Sequence, residues 1–290
     1  MAEAEIPVDL FNPGQVFACL GFLEAADILL GDAEGGYDWR DGGAIRFRLR
    51  SKGDDNPFEA VLRFLAEAEL KAIAPEGSIL DLKKHDIPTL SSKPNTPFPF
   101  PEPRSLATLP IQLADKHQRK VLIEHWGDNT KRDNVKFWAG AAGYPGAALA
   151  RDALDLVRDH LNEAVNDPFS LSAPQTSSFR FDWRRDYIPI DLGFSPNYHD
   201  DIIMVGFPLV ELLAAIGLSN ARPERLDKLN YRYSVLGISP REAVYDPIFL
   251  RAALGSTKLP FPQRTFRMCL GWPGQENQAR CITDVFEEVT

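Results

Sequence analysis

Residues 6–11 (IPVDLF) alternate, with Ile6, Val8 and Leu10 on one side, which predicts a short strand. Asn12-Pro13-Gly14 then turns the chain, and Asn12 is placed to cap a helix whose first position is Pro13. Over residues 15–30 the apolar positions Val16, Cys19, Leu20, Leu23, Ala26 and Leu30 recur at helical spacing, and Gly31 stands where a helix stops. Residues 35–40 and 44–50 flank Asp41-Gly42-Gly43, a hairpin signal. In the second arm Ile45, Phe47 and Leu49 alternate with Arg46, Arg48 and Arg50, which predicts one dry face and one basic face. Helical period returns over residues 57–68 (Phe58, Val61, Leu62, Leu65), and residues 78–82 read as a strand. The order is βαββαβ, the pattern of a ferredoxin-like unit with two helices on one face of an antiparallel sheet.

The next stretch, residues 86–110, holds seven prolines in 25 residues. Proline fixes φ and removes an amide donor, so an extended linker or an irregular surface loop is expected there. Phe98 and Phe100 suggest that it packs on something. Beyond it the pattern loosens. A turn at 116–120 leads into a strand at 121–126, and residues 145–165 form a long helix facing inward through Leu149, Leu154, Val157, Leu161 and Val165. Residues 178–183 (SFRFDW) alternate as a strand, with Phe179, Phe181 and Trp183 on the apolar side. An apolar helix at 207–218 and strands at 231–238, 264–270 and 279–286 follow. The expected fold is α+β, two ferredoxin-like units with antiparallel sheets: residues 1–85, a linker at 86–110, and an embellished second half at 111–290. A single sheet shared by both halves fits the same pattern.

The chain has 290 residues, 44% of them hydrophobic and 25% charged, the balance of a globular protein. Its longest apolar runs, 202–206 and 212–218, fall far short of the roughly 20 residues that cross a bilayer. The start, MAEAE, is acidic where a secretory signal would be basic and then apolar. Three scattered cysteines (Cys19, Cys269, Cys281) form neither a disulfide framework nor a CxxC zinc pattern. A cytoplasmic protein with no membrane partner is the expectation. The net charge of −9 disfavours a generic nucleic-acid coat, which needs clustered Lys and Arg. Residues 1–110 carry 18 acidic and 11 basic side chains against 23 and 21 in residues 111–290, so a phosphate-facing surface is expected in the second half.

Catalytic signatures are missing: there is no GxGxxG after a strand, no GxxxxGK[ST], no HExxH and no GxSxG. Asp191, His199, Asp200 and Asp201 could hold a hard cation as in a metal-dependent phosphodiesterase. A polar loop in which Asp200 or Asp201 caps the following helix is the plainer reading. His125 and His160 have no partners at ligand spacing, and Cys19 lies on the apolar helix face, where packing is its expected role. No cofactor, no metal and no catalytic residue is expected.

Nucleic-acid features are better represented. Residues 116–136 hold six Lys or Arg against three acids, with Trp126 and Trp138 flanking a polar loop. Arg119, Lys120, Lys131, Arg132 and Lys136 are candidate phosphate contacts and Trp138 a base-stacking group. Arg180, Arg184 and Arg185, beside Trp183 and Tyr187, make a second patch. A solvated strand edge with local ion pairs to Asp182 and Asp186 is the plainer alternative.

The segment 12–26 (NPGQVFACLGFLEAA) resembles the start of a CRISPR-associated family of type I-U (also I-G, or Dpsyc) systems. Residues 136–154 (KFWAGAAGYPGAALARDAL), 181–187 (FDWRRDY) and 193–201 (GFSPNYHDD) are similar to later blocks of that family. The resemblance implies a large-subunit-like or RAMP-like, non-catalytic subunit of a Cascade-type surveillance complex, built from ferredoxin-like folds. Its implied partners are crRNA, possibly target DNA, and the other subunits, with cutting left to a recruited helicase-nuclease. In such machines base pairing supplies sequence specificity, and protein reads backbone shape.

Overall fold

A computed structural model describes residues 1–41, 43–75, 87–92, 111–123, 146–175, 177–184, 204–238, 243–272 and 280–288. Strand β1 (Ala2–Pro7) leads into helix α1 (Pro13–Leu29). The helix begins as its sequence requires: Asn12 Oδ1 accepts the Gly14 amide at 3.1 Å with Pro13 at the first position. It stops at Gly31, whose φ of 84° only glycine takes readily. The hairpin β2 (Glu34–Asp38) and β3 (Arg46–Ser51) follows, then α2 (Pro57–Glu67), capped by Asn56.

In the first sheet β3 lies between β1 and β2 and is antiparallel to both. Phe47 and Leu49 of β3 are fully buried, as their alternation predicts. The opposite face is not a basic surface. Arg46 and Arg48 meet Glu5, Arg48 also reaches Glu3 and Asp38, and Arg50 pairs with Glu34. Carboxylates from the flanking strands stand opposite each arginine, giving a charge-balanced lattice.

Strand β4 (Glu69–Pro75) leaves this sheet for another, in the order β5-β4-β6-β7 with β5 (Thr89–Ser92), β6 (Ile111–Ala114) and β7 (Lys120–Ile123). β5 falls within the proline-rich stretch. Its four residues contain no proline, and it sits at the sheet edge, parallel to β4. β4 and β6 pair antiparallel, so this sheet draws on chain from both sides of residues 93–110. The strand expected at 78–82 lies outside the described residues, whereas β4 precedes it.

Helix α3 (Gly146–Val157) is followed by a 3-10 segment, Arg158–Glu163, so the long helix expected at 145–165 tightens after Val157. The minor pair β8 (Ala173–Pro174) and β9 (Val205–Gly206) precedes α4 (Pro208–Gly217). The last sheet is fully antiparallel, β10 (Glu224–Arg225), β11 (Asn230–Leu236), β12 (Gln263–Gly271) and β13 (Cys281–Glu288) in that order. Helix α5 (Pro247–Leu254) lies between β11 and β12 in sequence. Bridges Gly35–Tyr245 and Tyr37–Gly237 close the free side of β2 and join the first sheet to the last.

The described residues thus form an α+β structure with five α-helices and small, mostly antiparallel sheets. None of the described helices is long and apolar enough to cross a membrane. One apolar core runs from Ile6 to Ile282. At its centre α1 lies against α4, whose ten residues are all buried. The helices touch backbone to backbone. A Cβ on Gly21 would land on the Leu213 carbonyl, and one on Gly217 on the Phe17 carbonyl. This contact explains why α1 is buried from Pro13 to Ala26 on nearly every side, beyond the single inward stripe its spacing predicts.

Replacing Gly21 with alanine must push the two helices apart. A loss of about 3 kcal/mol or more is expected from the urea midpoint, since overpacking commonly costs about 1–3 kcal/mol and backbone gives way less easily than side chains. Gly43→Ala, where the added methyl meets nothing within 4 Å, should stay within about 0.5 kcal/mol. A pH dependence follows from Asp38. The Arg40 hydrogen bonds, then the charges of Arg40 and Arg48, outweigh burial and hold its carboxyl at about 2 instead of 3.8. The stabilisation is therefore present above about pH 4 and lost as pH falls towards 2. Urea unfolding of Asp38→Asn across that range should show a shallower acid-side slope than wild type.

Candidate nucleic-acid interface

Arg119 and Lys120 stand at the β6–β7 hairpin. Asp115, fully buried, organises this turn: its carboxylate accepts the His117 and Arg119 amides at 3.0 Å each, and Arg119 Nε at 2.7 Å. Burial pushes the Asp115 carboxyl up, and the Arg119 hydrogen bonds and charge overcome that to leave it below its usual range. Arg119 is thus tied to the turn it stands on and also lies 5.9 Å over the Phe64 ring. Lys120 is exposed at the start of β7. Lys131, Arg132, Lys136 and Trp138 lie outside the described residues.

The second patch has a different support. Residues 178–183 are not a strand. The Phe181 and Asp182 amides donate to the Glu211 carboxylate of α4 at 3.0 and 3.1 Å instead of to a ladder, and Arg180 sits at φ 67°. Phe179 and Phe181 are buried as expected, and their rings stack on each other, but Trp183 turns out to solvent and Asp182 turns in. Asp182, 0% exposed, accepts Asn12 Nδ2 at 2.9 Å and the Arg184 guanidinium at 2.6–3.2 Å. Arg184 also donates to the Phe169 carbonyl and lies 3.5 Å over the Phe207 ring. This knot fastens the segment to the start of α1, and in it Arg184 is a structural cation. Arg185 lies outside the described residues, as do Asp191, His199, Asp200 and Asp201. Among the described residues no three His, Cys, Asp or Glu side chains are placed to hold a metal. Cys19 is a buried packing residue whose thiol is pushed up by desolvation, despite a hydrogen bond with Tyr37.

A third basic-aromatic constellation covers the outer face of the last sheet. On β12, Phe266, Met268 and Leu270 point into the core, which turns Arg267 outward. The register sets Arg232 of β11 on one side of Arg267 and Phe286 of β13 on the other. Phe286 is 45% exposed, and the Arg267 guanidinium lies 5.7 Å from its ring. Two arginines directly opposite each other repel. Glu288 lies between them, accepting Arg232 Nε at 2.6 Å and Arg267 Nε at 2.7 Å, while Glu224 meets Arg232 Nη1 at 3.3 Å. Burial pushes the Glu288 carboxyl up, and the two guanidinium groups more than reverse this. At the adjoining end Lys228 lies 5.6 Å over Trp272, and Arg280 donates to the Lys228 carbonyl at 2.7 Å. Alternation in RTFRMCLG (264–271) turns Arg267 away from the core. Finding Arg232 and Phe286 beside it takes the strand register, which no local pattern carries.

No protein-family model, curated protein or solved structure matches this chain.

The Asp182 knot gives a direct test. Asp182→Ala leaves Arg184 and the Asn12 amide without their buried acceptor and is expected to cost about 3–5 kcal/mol in urea unfolding. Lys120→Ala, at an exposed site, should change stability by less than about 0.5 kcal/mol.

Proposed function

We propose that the chain is a non-catalytic subunit of a type I CRISPR interference complex, contacting crRNA or target strand over a limited surface and partner subunits over a larger one. The observation that carries this reading is the row Arg232–Arg267–Phe286 on the outer face of an antiparallel four-stranded sheet. Such a face offers guanidinium groups for phosphates and a ring for stacking, the two elements of single-strand recognition. The resemblance of residues 12–26, 136–154, 181–187 and 193–201 to the type I-U family supports the same assignment. So does the order β1-β3-β2 with α1 crossing between β1 and β2, the arrangement that begins a ferredoxin-like unit. The compartment is the cytoplasm, where such a complex meets invading DNA.

A scaffold without nucleic-acid contact is the second reading. It is favoured by the lattice on β3, where each arginine faces a carboxylate and the surface carries little net charge.

Co-expression of the tagged chain with its genomic neighbours tests both. Short RNAs of uniform length with a repeat-derived end, recovered with stoichiometric partner proteins, are expected. Stoichiometric partners with RNA that the Arg232→Glu/Arg267→Glu variant retains in full would favour the scaffold. A lone protein free of RNA would end the surveillance-complex reading.

A further inference from the structure

Glu288 draws two arginines of neighbouring strands onto one carboxylate. Its carboxylate bridges two arginines on neighbouring strands, Arg232 at 2.6 Å and Arg267 at 2.6 and 2.7 Å, in a pocket that leaves the glutamate side chain only 17% exposed. A carboxylate held by two guanidinium groups and a phosphate held by two guanidinium groups use the same planar, charge-assisted hydrogen bonds. Beside this anion position stands the half-exposed ring of Phe286 in the same cross-strand row. An anion seat with an aromatic face next to it matches the repeat of a single-stranded nucleic acid, one phosphate and one base. The neighbouring residue separates the two faces of the strand: Glu287 lies opposite Phe266 and is tied to Arg264 by two bonds of 2.7 Å, away from the Arg232–Arg267 pair.

We infer that Glu288 is a built-in competitor for this seat: single-stranded nucleic acid binds by displacing its carboxylate from Arg232 and Arg267 and stacking a base on Phe286. This deepens the nucleic-acid reading above and rests on it. Binding is then weaker than two free arginines would give, and other contacts of an assembly that hold the strand nearby strengthen it. The displaced carboxylate keeps its charge and moves to solvent, so no proton transfer is required.

The test uses the full chain, 12-residue oligouridylate and its deoxy counterpart, with fluorescence anisotropy over a salt series. Glu288→Gln keeps the shape and removes the competing charge. It is expected to bind about three- to tenfold more tightly, because the phosphate no longer has to displace a carboxylate from the two arginines. Glu287→Gln removes the same charge from the other face and should leave affinity within about twofold. Phe286→Ala should weaken binding, and it changes an exposed position that folding tolerates. The preferred sugar shows whether guide or target strand uses the seat. Equal tightening by Glu288→Gln and Glu287→Gln would reduce the effect to overall charge and overturn the proposal. So would a Glu288→Gln affinity at or below wild type while wild type still binds, which leaves the nucleic-acid reading standing. If neither wild type nor Glu288→Gln binds either oligonucleotide at low salt, the proposal is overturned, and if in addition no RNA accompanies the co-expressed complex, the nucleic-acid reading falls as well.

Discussion

The contact between α1 and α4 is the constraint from which the rest of the structure follows. Two helices whose backbones meet at Gly21 and Gly217 cannot be separated by side chains, so everything around them is fitted to a fixed spacing. Both helices are buried almost all round, and each carries one acid into that interior. Glu24 of α1 is satisfied by Arg251 of α5 and by Asn220. Glu211 of α4 is satisfied by the amides of Phe181 and Asp182. A buried carboxylate without such partners would cost several kcal/mol. These two acids therefore dictate where α5 and the segment 177–184 must lie. Through Asp182 and Asn12 the second of them also fixes the entry into α1.

A second theme is the pairing of arginine with carboxylate. On the first sheet, at the β6–β7 turn, at the start of α1 and on the last sheet, guanidinium groups meet acids at hydrogen-bonding distance. Among the described residues, this is how an acidic chain carries clustered arginines without presenting a broad positive surface. It also separates the clusters by kind. Arg184 donates to a wholly buried carboxylate and a backbone carbonyl and is part of the scaffold. Arg267 is partly open to solvent beside an exposed aromatic ring, where its partner can be exchanged.

What the sequence reveals follows from how local each feature is. The start and stop of α1 were legible because Asn12, Pro13 and Gly31 act within one turn of their own positions. The β2–β3 hairpin was legible for the same reason, through Asp41-Gly42-Gly43. Residues 178–183 show the limit: Phe179 and Phe181 do face inward, yet the ladder that alternation implies is replaced by the carboxylate of Glu211, about thirty residues away. Strand β4 was missed because it follows α2 with one residue between and has no turn to announce it. The Arg232–Arg267–Phe286 row was invisible because it is a product of register. Its members are contributed by three strands, and only pairing brings them level.

The burial of α1 has a consequence for synthesis of the chain. A helix with a single apolar stripe can rest against its own neighbours as it leaves the ribosome, but α1 is complete only with α4, which lies about 180 residues downstream. At roughly 5–20 residues per second, α1 waits about 10–40 s for its partner. During that time its second face, including the glycine notch at position 21, is open to any apolar surface in the cell. Docking of the two helices cannot precede synthesis of α4.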